Sequence, residues 1–293
     1  MAVQSASIPP IKNLLHVFFD EDQCIEYLIA NEILSRLDCC NVCNGKLSRT
    51  GKKLRCTRNS CRKAYSIFQN SIFSKNCLSC NEILHLGYLW LLKIPTNAMV
   101  MQTGHSNKTI CEYRKQFRQL VTSMIDPDDV IIGGPGIIVQ VDETKLGKRK
   151  YHRGHRVEGA WVIVGVEKTD ERLVFAEVVP DRSGETILKV LERHIAERSI
   201  IHTDKWKGYA QLSTRFQIEH HDVNHSLWFK DPCTGVNTNT VEGTNYAIKR
   251  SIEPRNRTYD LLPSYLFEFI WRRKHKNKLW EGFINALGEV GYL

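Results

Sequence analysis

The sequence lacks any apolar run long enough to cross a bilayer, a span that takes about 20 residues. Two of its most apolar stretches, Leu86–Leu92 and Ala160–Val166, fall far short of that length. The first ten residues also lack the basic start and the apolar block of a secretory signal peptide. We therefore expect a soluble, intracellular protein with no membrane partner.

Acidic residues are also in short supply. The chain has 32 Asp and Glu against 41 Lys and Arg, which gives a formal net charge of +9. A basic balance of this size favours a polyanionic partner, and nucleic acid is the commonest one. Hydrophobic content of 42% predicts a well-formed core, and 293 residues allow a catalytic domain with smaller attachments.

Cysteine is not scarce, and the ten cysteines of an intracellular chain are metal ligands or buried thiols rather than a disulfide framework. Two close pairs flank a short hairpin-like segment: Cys40 with Cys43, and Cys56 with Cys61. This spacing predicts a structural zinc site in a zinc ribbon, with Gly45 relieving the backbone after the first pair. A third pair, Cys77 and Cys80, leads into an apolar helix and is predicted to lie outside the site.

Apolar residues at helical spacing predict helices within residues 11–37 and 81–125. In the second region a turn at Gly104 separates two helices, and the later one carries Lys108 and Arg114. This order is compatible with a helix-turn-helix DNA reader in which Lys108 and Arg114 contact DNA. A plain three-helix bundle explains the same apolar spacing.

Beyond a group of chain breakers near residue 130, the pattern changes to β-rich runs. Three runs form a predicted meander, and a helix that begins near Ser183 leads to a further strand. The four predicted strands are Ile137–Asp142, Ala160–Val166, Leu173–Val179 and Ser199–Thr203. This order predicts an α/β fold with a mixed sheet and helices against it.

Acidic residues follow the first and the last of these strands. If the two strands pair in parallel, Asp142 and Asp204 emerge side by side, whereas Glu143 faces the opposite side. Neighbouring carboxylates repel unless a cation lies between them, and their oxygens suit Mg²⁺ or Mn²⁺. A third acid, Glu242, fits either of two roles: a metal ligand, or half of a capping box begun by Asn239.

Two basic segments favour DNA contact. Residues 145–156 hold six Lys or Arg and no acid, and they follow the strand that delivers Asp142. The predicted DNA contacts in this segment are Lys148, Arg149, Lys150, Arg153 and Arg156. Lys249, seven residues after Glu242, is a further predicted contact. The other segment, Trp271–Lys278, closes a C-terminal helix and fits either DNA binding or a nuclear import signal.

Three motifs occur in a fixed order: Val-Asp-Glu-Thr at 141–144, His-Thr-Asp-Lys-Trp-Lys-Gly-Tyr at 202–209 and Asn-Thr-Asn-Thr-Val-Glu-Gly at 237–243. Together they resemble the Merlin superfamily of cut-and-paste DNA transposases and the bacterial insertion-sequence transposases related to it. The resemblance covers nearly the whole chain and includes a four-cysteine zinc ribbon. The chain departs from it at Asn245, where the family commonly has Trp, and at Asn237, where it often has His.

The resemblance implies an RNase H-like catalytic domain in which Asp142, Asp204 and Glu242 form a DDE triad that binds Mg²⁺ or Mn²⁺. Such an enzyme cleaves DNA at transposon ends with two metal ions and transfers the freed 3′-hydroxyl into target DNA. The implied partners are double-stranded DNA, as terminal repeats and as target, and further copies of the chain, with no small-molecule substrate. The site of action is the nucleus in a eukaryote and the nucleoid otherwise.

Two other functions remain open: a host-adopted regulator that binds DNA without cutting it, and a simple nuclease of the same fold. The predicted division has five segments. They are an N-terminal helical segment (1–38), the zinc ribbon (39–76), a helix-turn-helix-like region (77–130), the catalytic domain (131–258) and C-terminal helices packed on that domain (259–293).

Overall fold

The computed structural model describes residues 7–34, 39–74, 77–125, 130–147, 159–209, 212, 219–223, 231–232 and 235–289. The chain forms two compact units, residues 1–124 with 275–293 and residues 125–274. This division is coarser than the five predicted segments, whose boundaries stay predictions. Within the described ranges, no helix combines the length and the apolar character needed to span a membrane.

A small antiparallel sheet holds the paired cysteines in the first unit. Its strands, in spatial order, are β1 (Leu47–Thr50), β2 (Lys53–Cys56) and β3 (Ala64–Ser66). β1 and β2 form a hairpin in which Thr50 pairs with Lys53. Gly51 lies in the turn with φ +55°, a conformation that favours glycine. The hairpin predicted between the two cysteine pairs is therefore present.

Five helices of the first unit follow the predicted helical regions: α1 (Leu15–Phe19), α2 (Glu21–Ala30), α3 (Cys80–Leu91), α4 (Thr96–Thr103) and α5 (Asn107–Ser123). Gly104 ends α4 with φ +72°. Ser106 begins α5, since its side chain accepts a hydrogen bond of 3.1 Å from the Thr109 N–H. The use of these helices as a helix-turn-helix reader stays a prediction.

A five-stranded mixed sheet forms the second unit, in the spatial order β10-β9-β5-β6-β7. The strands of this unit are β4 (Ile132–Gly133), β5 (Ile138–Leu146), β6 (Ala160–Glu167), β7 (Val174–Val179), β8 (Ile195–Ala196), β9 (Ile200–Asp204) and β10 (Glu219–Val223). β5, β6 and β7 are antiparallel neighbours, whereas β9 lies parallel to β5 and β10 parallel to β9. The predicted mixed α/β fold is confirmed, and β10 is an addition to it.

Three helices pack against this sheet: α6 (Gly184–His194), α7 (Asn239–Ser251) and α8 (Leu262–Lys274). α7 packs on β5 and β6, and α8 packs on β7. β6 is buried along almost its whole length, and Val162, Ile163 and Val164 are fully buried. Burying one such side chain stabilises a fold by about 1.5–3 kcal/mol, so this core provides a rigid base for polar residues at the sheet edge.

β5 is longer than predicted, and Asp142 therefore lies within the strand rather than at its end. Antiparallel pairing with β6 continues as far as Leu146 opposite Ala160. Parallel pairing with β9 stops earlier, with Gln140 opposite His202. Asp142 thus lies where β9 stops pairing, which opens one side of the strand.

The C-terminal helices do not pack as one group. α8 belongs to the second unit, whereas the last helix, α9 (Leu279–Glu289), belongs to the first. The reason is aromatic packing: the Phe283 ring lies 6.0 Å from the Trp90 ring and 5.4 Å from the Phe117 ring. Trp280 adds a hydrogen bond of 2.9 Å from its Nε1 to the Tyr27 hydroxyl. α8 packs on β7 of the second unit, whereas α9 packs on α3 and α5 of the first.

Candidate functional site

Asp142 and Asp204 lie on neighbouring strands and on the same face of the sheet. Since Gln140 lies opposite His202 in the parallel pairing, the register places Asp142 opposite Asp204 two residues further on. The Trp206 N–H donates a hydrogen bond of 3.1 Å to Oδ1 of Asp204, which orients that carboxylate. The predicted parallel pairing of β5 with β9 is confirmed, and it brings these two acids side by side.

Gln140 joins β5 to the start of α7. It is fully buried, and its Oε1 accepts hydrogen bonds of 2.9 and 3.1 Å from the N–H groups of Thr240 and Val241. These N–H groups are in the first helical turn, where they have no partner inside the helix. Its Nε2 donates a hydrogen bond of 2.8 Å to the carbonyl oxygen of Asn237. The Gln140 side chain therefore caps the N-terminus of α7 and fixes this helix beside Asp142.

Glu242 lies in the first turn of α7 and is exposed. Thr238 is the N-cap residue of this helix, so the capping box predicted from Asn239 does not form. The Thr238 hydroxyl donates a hydrogen bond of 3.0 Å to Oε1 of Glu242. Asn245, one turn later, donates a hydrogen bond of 2.7 Å from Nδ2 to Oδ2 of Asp142. Residues at this spacing share one face of a helix, so Glu242 lies on the side of α7 that meets Asp142.

The acids influence one another electrostatically. Burial raises the pKa of Asp142 to about 6, and the negative charges of Asp204 and Glu242 add to this effect. The hydrogen bonds from the Glu143 backbone and from Asn245 oppose it. Asp204 and Glu242 are thus near enough to Asp142 for their charges to disfavour its ionised form.

Glu143 points to the opposite face by strand alternation, where its carboxylate accepts a hydrogen bond from the Tyr209 hydroxyl. Burial raises the pKa of Glu143 to about 7, the charges of Asp142 and Asp204 add to the shift, and Arg182 opposes it. The same contact, together with burial, holds the pKa of Tyr209 well above its usual range.

The three carboxylates fit a divalent cation by their chemistry. Carboxylate oxygens are the ligands that Mg²⁺ and Mn²⁺ prefer, and a cation among them relieves the repulsion that raises the pKa of Asp142. Their candidate ligand atoms are more widely spaced than those of the four cysteines. Within the described part of the chain, only the four cysteines form a set of three or more candidate ligands whose atoms all lie within 4.8 Å of one another.

A model of the ISXO2-like transposase domain matches residues 124–274, just over half of the chain. The chain belongs to this family of DDE-type transposases. The matched residues are almost the same as those of the second unit, 125–274. The narrower resemblance to the Merlin superfamily stays a prediction.

Two solved structures are similar to the chain at 14% identity, each over 72% of its length. One is a pre-cleavage Mos1 transpososome, with a TM-score of 0.27 and 79% of that chain covered. The other is the Mos1 strand transfer complex, with a TM-score of 0.21 and 78% of that chain covered. No curated protein matches the chain.

The transposase domain also contains a stack of cations and aromatic rings that no sequence pattern indicated. The Arg182 guanidinium lies 4.1 Å from the Trp206 ring centre and 4.9 Å from the Trp161 ring centre. Lys145 Nζ lies 5.3 Å from the Trp161 ring centre. Trp206 lies in the motif around Asp204 and Lys145 in the predicted basic segment, whereas Arg182 lies in the connection between β7 and α6 and gave no signal.

The predicted DNA contacts of this transposase fall into three groups. Lys108 and Lys249 are exposed, on α5 and α7. Arg114 is half-buried, and its Nη1 donates a hydrogen bond of 2.9 Å to Oγ1 of Thr96 on α4, which gives it a structural contact within the first unit. The remaining predicted contacts lie outside the described residues: Lys148, Arg149, Lys150, Arg153 and Arg156.

Outside the matched domain, the two predicted cysteine pairs converge. All four sulfurs of Cys40, Cys43, Cys56 and Cys61 lie within 4.8 Å of one another. Cys40 Sγ lies 3.7 Å from Cys61 Sγ, and Cys43 Sγ lies 3.4 Å from Cys56 Sγ. A tetrahedral zinc ion with bonds of about 2.3 Å separates its sulfurs by about 3.8 Å, so the cluster fits zinc.

The loops around the cysteines explain their convergence. Asn44, rather than Gly45, takes the left-handed conformation, with φ +54°. Gly45 is needed for space, because a Cβ there would lie 3.0 Å from the Cys56 sulfur. The hydrogen bond with the Tyr65 hydroxyl, 3.2 Å from Cys40 Sγ, lowers the pKa of that thiol to about 6. A thiolate is the form that binds zinc.

We expect one zinc ion per chain, bound by this cluster. Cys43→Ser removes one of the four ligands and should abolish stoichiometric zinc, whereas Cys77→Ser should retain it. Zinc is measured by inductively coupled plasma mass spectrometry on protein purified from zinc-supplemented cells. Loss of zinc in the Cys77 variant, or its absence from the wild type, contradicts the assignment.

The burial of Asp142 and the repulsion from its acidic neighbours predict a pH-dependent stability. The raised pKa means that the folded protein holds a proton there up to about pH 6, whereas the unfolded chain releases it near pH 4. Stability without Mg²⁺ therefore falls as pH rises through this window. Asp142→Asn removes the charge and should stabilise the protein at pH 8 by about 1–2 kcal/mol, after allowing for solvent screening.

The measurement is urea unfolding at pH 5 and pH 8, without and with Mg²⁺. At pH 5 the difference between the variant and the wild type should shrink, because Asp142 is then largely protonated. Added Mg²⁺ at pH 8 should stabilise the wild type and leave Asp142→Asn unchanged. A variant that is less stable than the wild type at pH 8 shows that Asp142 is not under repulsion.

Proposed function

We propose that this chain is a catalytically active DNA transposase that cuts DNA at element ends and transfers the freed 3′-hydroxyl into target DNA. Asp142, Asp204 and Glu242 are its catalytic carboxylates. One observation carries the proposal: two acids share a face where β9 stops pairing, and the third lies one turn before Asn245, which bonds Asp142. The mixed sheet, with three antiparallel strands followed by two parallel ones, supports an RNase H-like fold for this domain.

Divalent ions held by these carboxylates would supply two-metal chemistry, in which the attacking water or 3′-hydroxyl is activated and the leaving oxygen stabilised. The chain's own residues orient the ligands. The Trp206 N–H holds one oxygen of Asp204, and the Asn245 amide holds one oxygen of Asp142. The Thr238 hydroxyl holds one oxygen of Glu242. Each carboxylate thus has one oxygen oriented by a hydrogen bond.

Double-stranded DNA is the proposed partner, and the net charge of +9 supports it. Arg182 lies on the Glu143 side of the sheet and is suited to a phosphate contact there. It is exposed, and its positive charge lowers the pKa of Glu143. The rings of Trp161 and Trp206 restrict its motion. Lys249 follows Asn245 by one turn on α7 and is exposed on the same helical stripe. The zinc cluster, the helices of the first unit and assembly of several copies complete the proposed DNA-binding machinery.

Metal-dependent strand cleavage tests the function directly. The substrate is a labelled duplex that carries the terminal repeats flanking the coding sequence, incubated with Mg²⁺ or with Ca²⁺. We expect nicks at the repeat ends with Mg²⁺ for the wild type. Asp204→Asn and Glu242→Gln should lower the rate more than about 100-fold, since even outer-shell partners of metal ligands contribute 10–100-fold.

Asp222→Asn is the matched control. This exposed acid lies on β10 opposite Thr203, the residue that precedes Asp204. It should cut at the wild-type rate. All variants should still bind the duplex in gel-shift assays. Tight binding by the wild type without metal-dependent nicking contradicts the proposal and favours a DNA-binding regulator. Nicking without strand joining restricts the activity to that of a nuclease.

The role of Arg182 is tested by DNA affinity. Arg182→Gln removes the charge and should weaken binding several-fold, and the slope of log affinity against log salt should fall by about one unit. Arg182→Lys keeps the charge but loses the planar stack, so its affinity should be intermediate. Lys189→Gln is the control, since Lys189 pairs with Glu185 on α6 at 2.8 Å. An equal loss in the Lys189 variant indicates a general charge effect and contradicts a specific contact.

A further inference from the structure

The side-chain amide of Asn245 has a nitrogen donor and an oxygen acceptor. Among the described residues, only the nitrogen has a hydrogen-bond partner. The residue is buried, with 5% of its surface exposed. Its Nδ2 donates a hydrogen bond of 2.7 Å to Oδ2 of Asp142. Its Oδ1 is buried and accepts no hydrogen bond from any residue that the structure describes. A buried amide oxygen without a donor costs about 1–3 kcal/mol.

Packing does not explain this side chain. Leu has a similar size and would fill the same space without a buried polar oxygen. The hydrogen bond to Asp142 explains the nitrogen, because a donor to a carboxylate is stabilising. It does not explain the oxygen, which belongs to the same amide group as the nitrogen bonded to Asp142. An unsatisfied buried group at such a place is best explained by a ligand that completes its bonding.

The surroundings restrict that ligand to one chemical class. Oδ1 carries partial negative charge, and its amide is bonded to Asp142, on which the negative charges of Asp204 and Glu242 also act. A phosphate oxygen or another carboxylate would add repulsion. A hydrated divalent cation has the opposite charge and offers O–H donors from its water molecules, which Mg²⁺ in particular tends to retain.

We propose that Asn245 is a positioning residue for the divalent cation: its nitrogen orients Asp142, and its carbonyl oxygen accepts a hydrogen bond from the cation's hydration shell. The inference rests on the proposed function, because it requires Asp142 to bind that cation. The Trp that is common here in the resembled family offers one N–H donor and no acceptor, so it does not combine the two roles. Asn245 thus gives this chain an acceptor that the resembled family commonly lacks at this position.

The test is Mn²⁺ affinity of the full-length, zinc-loaded chain without DNA, measured by isothermal titration calorimetry. Asn245→Leu removes both donor and acceptor and should weaken Mn²⁺ binding about 10–100-fold. Asn245→Ser keeps a shorter donor and acceptor, so its affinity should lie between those of Asn245→Leu and the wild type. Thr244→Val is the matched control, because this buried neighbour bonds the Thr240 carbonyl within α7 and should leave the affinity unchanged.

Asp142→Asn separates failure of the inference from failure of the proposed function. If Asp142→Asn leaves Mn²⁺ affinity unchanged, the proposed metal site itself is wrong. If Asp142→Asn abolishes binding and both Asn245 variants bind as the wild type does, only the role of Asn245 is wrong. A merely structural role would lower the free energy of unfolding in urea without changing Mn²⁺ affinity. Should Asn245→Leu not fold, the comparison of Asn245→Ser with Thr244→Val decides the matter.

Discussion

One buried amide holds the candidate site together. Gln140 bonds the N–H groups of Thr240 and Val241 through its oxygen and the carbonyl of Asn237 through its nitrogen. A buried polar group of this kind stabilises only when its bonds are made, so α7 has one favoured position against β5. Asp142 is two residues beyond Gln140 on the same face, and Glu242 directly follows Val241. The approach of these two carboxylates is therefore set by a contact that includes neither of them.

The approach of the Asp142 and Glu242 carboxylates is electrostatically unfavourable. The rest of the domain must offset this free-energy cost. The pKa of Asp142 is raised to about 6 and that of Glu143 to about 7, chiefly by burial and further by neighbouring acids. Fully buried strand residues such as Val162 and Val164 provide the stabilisation that the site lacks. Arg182 supplies a positive charge on the Glu143 side. A rigid apolar sheet thus keeps acids together that would otherwise separate, which is a favourable starting state for binding cations.

The sequence was informative where the signal is local. Apolar β-branched runs located β5, β6, β7 and β9, and strand alternation separated Asp142 from Glu143. β10 was missed because Glu219–Val223 includes two histidines and two acids and has no apolar run. The length of β5 was missed because it depends on pairing with β6, and the helix start at Thr238 because Gln140 provides the cap. The contact between Gln140 and α7 joins residues about 100 positions apart, and no local pattern carries such information.

The two departures from the resembled family belong to this same contact. Oδ1 of Asn237 accepts a hydrogen bond of 3.3 Å from Gln140 Nε2, and Asn245 donates one to Asp142, so both side chains bond β5 residues on one face. At each position the resembled family commonly has a ring, His or Trp, and this chain has a compact amide that carries a donor and an acceptor. Since both amides fix α7 to the strand that carries Asp142, a change at either position alters how that helix is held. The departures therefore act on how α7 is held against β5, and they change none of the three candidate carboxylates.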